Sequence, residues 1–119
     1  MRHRVKKHLH FNGKDNAHRK SVIRNLVSAL FENKSIVTTE KRALAITPVI
    51  HRLIEMANSN HTEFNKIRFI APEVFTEAAS RAVLAIGPKY ANQNGGYTRI
   101  TPIKYRDGDA ALLVKLELV

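Results

Sequence analysis

The sequence predicts a two-layer α+β domain that carries a basic N-terminal arm. Three observations predict it: helical periodicity in four segments between residues 17 and 86, a lone β-branched stretch at 35–38, and two strand-like stretches at 97–104 and 111–119. A lone strand and a distant pair of strands bury their apolar sides best in one small mixed sheet, with helices packed on one side. The predicted order is helix, strand, three helices, two strands.

The first helix is predicted over residues 17–32, with Asn16 as its N-cap. Its apolar side chains recur at the spacing of one helical face: Val22, Ile23, Leu26, Val27, Leu30 and Phe31. That spacing indicates a helix that buries one stripe against a core. The stretch Ser35 to Thr38 that follows is mostly β-branched, which is typical of a short strand.

A second helix is predicted over residues 40–58, with Thr39 as its N-cap. Pro48 lies inside this segment, where it removes a backbone hydrogen bond and clashes with the preceding turn. We therefore expect either a kink or two shorter helices broken near Thr47.

Two more helices are predicted at 62–70 and 73–86, with Pro72 as the first residue of the second. Gly87 and Pro88 are typical of the end of a helix, and an extended loop, rich in Asn and Gly, is predicted over 89–96. The last two strands flank residues 106–109, the sequence Arg-Asp-Gly-Asp, which indicates a β-hairpin turn.

Two further features of the hairpin follow from the same stretch. In the last strand one face is entirely apolar, formed by Leu112, Val114, Leu116 and Leu118. Pro102 cannot donate a ladder hydrogen bond, so it is expected at a sheet edge or at a bulge.

The length of 119 residues and an apolar fraction of 44% favour one globular domain over residues 16–119, preceded by a separate arm over residues 1–15. The charge is strongly polarised between the two. The formal net charge is +10, and residues 1–24 alone carry eight Lys or Arg and one acid, 8 − 1 = +7. Such a balance predicts a polyanionic partner.

Enzymatic and membrane functions find little support in the sequence. There is no cysteine and no glycine pattern of a nucleotide-binding loop, and we predict neither catalysis nor a small-molecule substrate or cofactor. No apolar run reaches the roughly 18 residues that span a bilayer. Asp107 and Asp109 could in principle bind a metal for a hydrolase, but Asp-Gly-Asp is far more often turn chemistry.

Metal binding by histidine is also not predicted. His3, His8, His10 and His18 match no zinc-ligand spacing, and no cysteine completes a shell. These imidazoles are better suited to stack on a nucleobase or to donate to a phosphate.

Nucleic-acid binding is the function that the charge supports best. Cations that neutralise phosphates release counterions, and the arm supplies Arg2, Arg4, Lys6, Lys7 and Lys14. The first helix continues this basic surface with His18, Arg19, Lys20 and Arg24, although cations there oppose the helix macrodipole.

The choice between RNA and DNA depends on two other segments. A helix-turn-helix around Ala71-Pro72 would offer Arg81 as its only recognition cation beside Glu73 and Glu77, which disfavours DNA. In the stretch Gly95-Gly96-Tyr97-Thr98-Arg99, paired glycines allow close approach, and the aromatic and guanidinium groups could contact RNA. The same stretch could equally be a lead-in to a strand, with Tyr97 packed on the sheet. A DNA-associated basic structural protein is the alternative.

Several motifs across the whole chain resemble a known family. They are M-R-H-R at the start, N-A-H-R-K-S-V-I-R-N-L at 16–26, I-V-T-T-x-x-R-A at 36–43, I-G-P-K-Y-A at 86–91, G-G-Y-T-R-I at 95–100, R-D-G-D-A-A at 106–111 and L-E-L at 116–118. In order and spacing they resemble the bacterial large-subunit ribosomal protein L-seventeen family.

This resemblance implies a non-catalytic constituent of the large ribosomal subunit that binds large-subunit ribosomal RNA near the exit of the peptide tunnel and supports assembly. Implied partners are that RNA and neighbouring ribosomal proteins, in the cytoplasm of a bacterium or in an organellar ribosome. By position, the resemblance adds Thr38, Thr39, Lys41 and Arg42 to the expected RNA contacts, and it supports Arg2, His3, Arg4, His18, Arg19, Arg24, Tyr97 and Arg99.

Overall fold

A computed structural model describes residues 15–119 of the chain. The arm predicted over residues 1–15 therefore lies outside the described residues, except for Asp15. RNA contacts predicted within the arm lie outside them too: Arg2, His3, Arg4, Lys6, Lys7, His8, His10 and Lys14. These contacts and the domain boundary at residue 16 stay predictions.

The described chain has the predicted order of elements, which confirms the α+β fold class. Its helices and strands are α1 Asn16–Asn33, β1 Ser35–Thr39, α2 Glu40–Ala57, α3 Glu63–Ile70, α4 Glu77–Ile86, β2 Thr98–Tyr105 and β3 Leu112–Leu118. Two short 3₁₀ turns, Ala71–Glu73 and Gly87–Tyr90, follow α3 and α4 respectively.

The three strands form one sheet in the order β1-β3-β2, so the last strand of the chain lies in the middle. Both pairings are antiparallel, which corrects the expected mixed sheet. The hairpin fixes the direction of β2 against β3. No short turn joins β1 to its neighbour β3, because three helices and β2 lie between them in sequence, and the direction of that pair could not be read from local signals.

The pairing register divides the sheet into an inner and an outer face, since partners in an antiparallel pair project to the same side. The inner face carries Ile36, Leu116 and Ile100 in one row and Thr38, Val114 and Pro102 in the next. The outer face carries Ser35, Glu117 and Arg99, then Val37, Lys115 and Thr101, then Thr39, Leu113 and Lys104.

The core lies between the inner face and the helices. Leu116 and Val114 are fully buried there, as the alternation in the last strand predicted. They join one cluster with buried side chains of α1, α2 and α4, among them Val27, Leu30, Phe31, Ile46, Ile50, Leu53, Ile54, Ala79 and Val83. The apolar stripes in the sequence therefore mark the faces that the helices bury.

Pro102 lies on β2, an edge strand, and the register of β2 shifts between Pro102 and Lys104. Both alternatives that the sequence left open, an edge and a bulge, are thus realised together. Proline has no backbone N–H to donate to a neighbouring strand. This loss is least destabilising on an edge strand, because such a strand pairs on one side only.

α1 begins one residue earlier than predicted, and its N-cap is Asp15 in place of Asn16. The carboxylate Oδ1 of Asp15 accepts a hydrogen bond of 2.7 Å from the backbone N–H of His18. A carboxylate at this position also interacts favourably with the positive end of the helix dipole. Its negative charge offsets part of the unfavourable effect of the cations in the first turns.

α2 is a single helix through Pro48, so of the two alternatives, a kink or a break near Thr47, the break does not occur. The proline removes the donor that would pair with the carbonyl of Leu44. Both Pro48 and Leu44 are exposed, so this carbonyl belongs to the solvent side of the helix. The hydroxyl of Thr47 donates to the carbonyl of Ala43 at 2.8 Å on the same turn.

α4 begins at Glu77, four residues later than predicted, and Pro72 lies in the preceding 3₁₀ turn. Val74 is extended and buried, which separates that turn from the helix. The hydroxyl of Thr76 then caps α4 by accepting from the N–H of Ala79 at 3.1 Å. α4 ends before Gly87 as predicted, where an added Cβ would lie 2.7 Å from Cβ of Ala57.

Candidate nucleic-acid interface

The first two turns of α1 carry the described part of the predicted basic surface. His18 and Lys20 are exposed, and Arg19 is partly buried and donates to the side-chain oxygen of Asn16. The basic charge predicted for the arm is therefore continued by exposed side chains on an ordered helix. The acid that precedes them, Asp15, belongs to the helix cap.

Arg24 is held in place by contacts with the segment before α4. Its guanidinium carbon lies 4.2 Å from the centroid of the Phe75 ring, a cation–π contact, and its Nη2 donates to the carbonyl of Val74 at 3.3 Å. Its Nε is buried and has no hydrogen-bond partner among residues 15–119. Arg24 is thus a fixed, half-buried cation, in contrast to the exposed Lys20.

A cleft of about 330 Å³ lies between α1, α2 and the 3₁₀ turn Ala71–Glu73. Three cations line it, namely Lys20 and Arg24 from α1 and Arg52 from α2. The other lining residues are Ile23, Val49, Pro72 and Glu73. We refer to it below as the cationic cleft.

Sequence reasoning missed Arg52. The available signal was its position three residues after Val49 in α2. Residues three apart lie next to each other on a helix surface, so Arg52 lies beside an apolar residue of the predicted buried face. The signal is weak, since nothing in the sequence says that this part of α2 faces the first turns of α1.

The four residues that the family resemblance added lie where β1 ends and α2 begins, and they divide between two environments. Thr38 is 9% exposed and faces the inner side of the sheet, so its side chain does not lie on the surface. Thr39 projects from the outer face, and Lys41 and Arg42 are exposed in the first turn of α2. Thr39 and Lys41 line a groove of about 570 Å³ beside the hairpin.

Tyr97 lies in the core, 2% exposed, which corrects its expected placement at an RNA surface. Its ring makes edge contacts with Tyr90 and His51, at centroid distances of 5.3 and 5.1 Å. Its hydroxyl donates to the carbonyl of Gln93 at 3.2 Å. The alternative in which Tyr97 packs at the start of a strand is therefore the one observed.

The neighbours of Tyr97 remain at the surface. Gly96 has a φ of +69°, a conformation that favours glycine, and a Cβ added at Gly95 or Gly96 would meet nothing within 4 Å. Arg99 projects from the outer face of the sheet and lies 3.5 Å from the carboxylate of Glu117. The outer face is the side opposite to the helical layer, so Arg99 and the cationic cleft belong to different layers of the fold.

α4 carries one cation, the exposed Arg81, and an acid lies beside it. Nη2 of Arg81 lies 2.5 Å from a carboxylate oxygen of Glu77, one turn earlier on the same helix. An acid at this position would repel the phosphates of a DNA groove, which disfavours a helix-turn-helix.

The carboxylate of Asp109 organises the hairpin turn. It accepts hydrogen bonds from Nε and Nη2 of Arg106, at 3.1 and 2.5 Å, and from the N–H of Ala111 at 3.2 Å. The pKa of Asp109 is lowered to about 2, mainly by the hydrogen bond from Arg106 and to a smaller extent by the hydrogen bond from Ala111. Asp109 thus performs the turn role that Asp-Gly-Asp predicts. Among residues 15–119, no group of three or more His, Cys, Asp or Glu side chains could hold a metal ion.

A small basic α+β domain whose cations gather at one end of the chain and in a cleft is typical of nucleic-acid-binding structural proteins. Comparison with known proteins gives the particular family. The family model described as Ribosomal protein L17 matches residues 22–119, and the chain belongs to this family. The family is structural and not enzymatic, in agreement with the prediction.

Relatives of similar length match nearly all of the chain. Large ribosomal subunit protein bL17 of Petrotoga mobilis is 39% identical over 127 residues, which cover 100% of this chain and 97% of the relative. The proteins of the same name from Wolinella succinogenes and Carboxydothermus hydrogenoformans are 39% and 38% identical and cover 90% of this chain. The matches cover 91% and 95% of those relatives. In the described residues, no helix is long and apolar enough to cross a membrane.

Proposed function

We propose that this protein is a structural constituent of the large ribosomal subunit in the bacterial cytoplasm. It binds large-subunit ribosomal RNA near the exit of the peptide tunnel, contacts neighbouring ribosomal proteins and supports assembly of the subunit. The observation that carries the proposal is the 39% identity, over the whole chain, to a protein named Large ribosomal subunit protein bL17.

The chemistry of binding is electrostatic. The arm carries five Lys or Arg and no acid over residues 1–14, and α1 continues that charge with Lys20 and His18 at its exposed first turns. Cations that contact phosphates displace condensed counterions, which gives an affinity that falls with salt. The folded part contributes a rigid origin for the arm, because the Asp15 cap fixes where α1 begins.

The outer face of the sheet offers a second and weaker contact surface for RNA. Lys104, Lys115 and Arg99 project from it, and Glu117 offsets part of their charge, at 3.5 Å from Arg99 and 3.6 Å from Lys115. Exposed ion pairs of this kind contribute little to stability. A phosphate that approaches this face can therefore replace Glu117 as the partner of Arg99 at small cost to the fold.

A tethered cleavage probe tests the location near the tunnel exit. The chain has no cysteine, so Ser21→Cys on the exposed side of α1 gives a single site for an iron chelate. In reconstituted large subunits, we expect hydroxyl-radical cleavage of large-subunit RNA to concentrate around the tunnel exit. The same probe on exposed Ala85 of α4 controls for distance, and its cleavage pattern should differ.

Cleavage from residue 21 that is confined to RNA remote from the tunnel exit would contradict the proposed location. Failure of the protein labelled at residue 21 to enter large subunits would contradict the proposed function as a whole.

A further inference from the structure

We propose that the cationic cleft is a phosphate-binding site for the RNA backbone, with Arg52 as its third cation beside Lys20 and Arg24. The inference rests on the proposed function. It adds to the arm and the outer face of the sheet a further RNA contact, which α1 and α2 form jointly on the helical layer. The ligand class is a phosphodiester group.

The cleft carries a net positive charge. It gathers three cations against the single acid Glu73, 3 − 1 = +2, and neither Lys20 nor Arg52 has an ion-pair partner in the described part of the chain. Some cations outside the cleft are paired with acids, as in Arg81 with Glu77 and Arg106 with Asp109. An uncompensated positive cluster held by two helices attracts an anion from outside the chain.

Arg24 is held in an orientation that suits an anion. Its stacking on Phe75 and its bond to the carbonyl of Val74 fix the guanidinium plane, so little side-chain entropy remains to be lost when an anion binds. A guanidinium offers five N–H donors, and one carbonyl bond occupies only one of them. Planar forks of this kind match phosphate oxygens in bidentate geometry.

The size and the lining of the cleft also suit a phosphate group. Ile23, Val49 and Pro72 form apolar parts of its lining, and a volume of about 330 Å³ is ample for one phosphate group. Apolar walls lower the local dielectric constant, which strengthens the attraction between the cations and a bound anion. Glu73, in the 3₁₀ turn, is the single acid of the lining.

The cations in the first turns of α1 oppose the dipole of their own helix. Helix stability does not account for Lys20 at an exposed position in the first turns. A phosphate in the cleft accounts for it, because Lys20 then has a counter-charge that the folded chain does not supply.

The substitution Arg52→Gln tests the inference in the full chain. It removes one charge at an exposed position and keeps a long polar side chain, so the thermal midpoint should stay unchanged. One phosphate contact corresponds to a change of about one in the slope of log affinity against log salt. We expect affinity for a large-subunit ribosomal RNA fragment to fall about five- to tenfold at 0.1 M salt, by counterion release.

Two matched variants control the experiment. Arg81→Gln removes an exposed helical arginine that does not line the cleft and has the acid Glu77 beside it, and this variant should bind RNA like the wild type. Arg52→Lys keeps the charge and should recover most of the salt slope.

Titration of the full chain with inorganic phosphate alone, monitored by the amide chemical shifts of α1 and α2, separates a site for free phosphate from a site for the RNA backbone. Saturation by phosphate well below 1 mM, with no further shift on adding RNA, would overturn the assignment to RNA.

The outcomes also separate this inference from the proposed function. If the wild type binds the RNA fragment and Arg52→Gln binds as tightly as Arg81→Gln with the same salt slope, the cleft is not an RNA site and the proposed function stands. If the wild type itself shows no affinity for the RNA fragment, the proposed function fails together with the inference.

Discussion

Deletion of residues 2–14 should lower the affinity of the protein for large-subunit ribosomal RNA by roughly a hundredfold or more at 0.1 M salt. The deletion removes all five Lys and Arg of a segment that contains no acid. The slope of log affinity against log salt should therefore become shallower by about 3 to 4. Filter binding over a salt series measures both quantities.

The folded part should survive this deletion, because Asp15 and the described core remain intact. Far-ultraviolet circular dichroism and the thermal midpoint check that expectation. A full-length variant with Gln in place of Arg2, Arg4, Lys6, Lys7 and Lys14 is the matched control, and it should lose as much affinity as the deletion if charge is the cause. Unchanged affinity and slope in both variants would show that the arm does not bind RNA.

The same measurement with duplex DNA at matched salt separates the two candidate partners. A ribosomal protein should prefer structured RNA, whereas comparable affinity for both would favour the DNA-associated alternative. Glu77, which lies beside Arg81 on α4, would repel the phosphates of a DNA groove and so disfavours sequence-specific binding there.

Replacement of Tyr97 by Ala should lower the free energy of unfolding by about 3–5 kcal/mol, a large part of the stability of a domain of this size. The cause is the loss of a buried ring that packs between Tyr90 and His51. The control, Tyr97→Phe, keeps the ring and loses only the hydrogen bond to the carbonyl of Gln93, worth about 0.5–1.5 kcal/mol. Urea unfolding followed by circular dichroism measures both.

The Tyr97 variants also test which role the residue performs. Under conditions in which Tyr97→Ala is still folded, its RNA affinity should match that of the wild type. A variant of wild-type stability that binds RNA weakly would contradict the core assignment and restore Tyr97 as a contact residue.

The sequence predicted the parts of the fold that depend on local periodicity. The alternation from Leu112 to Leu118 and the stripe from Val22 to Phe31 report which faces are buried, and the structure buries those faces. Helix ends were less predictable, since Asp15 and Thr76 cap α1 and α4 through hydrogen bonds that competing nearby residues could equally have made.

What the sequence could not predict depends on contacts between distant segments. Tyr97 fits a surface motif as well as a core position, and only its packing on Tyr90 and His51 decides between them. Arg52 becomes part of a cluster only because α2 lies beside the first turns of α1. The antiparallel direction of β1 against β3 likewise follows from the path of three intervening helices.

Sedimentation tests the central claim most directly. Tagged full-length protein, expressed at its natural level, should sediment with large ribosomal subunits in a gradient that separates the two subunits, and it should remain there after a high-salt wash that strips loosely bound proteins. Recovery of the protein in free fractions, with small subunits or with chromosomal DNA would contradict its assignment as a constituent of the large subunit.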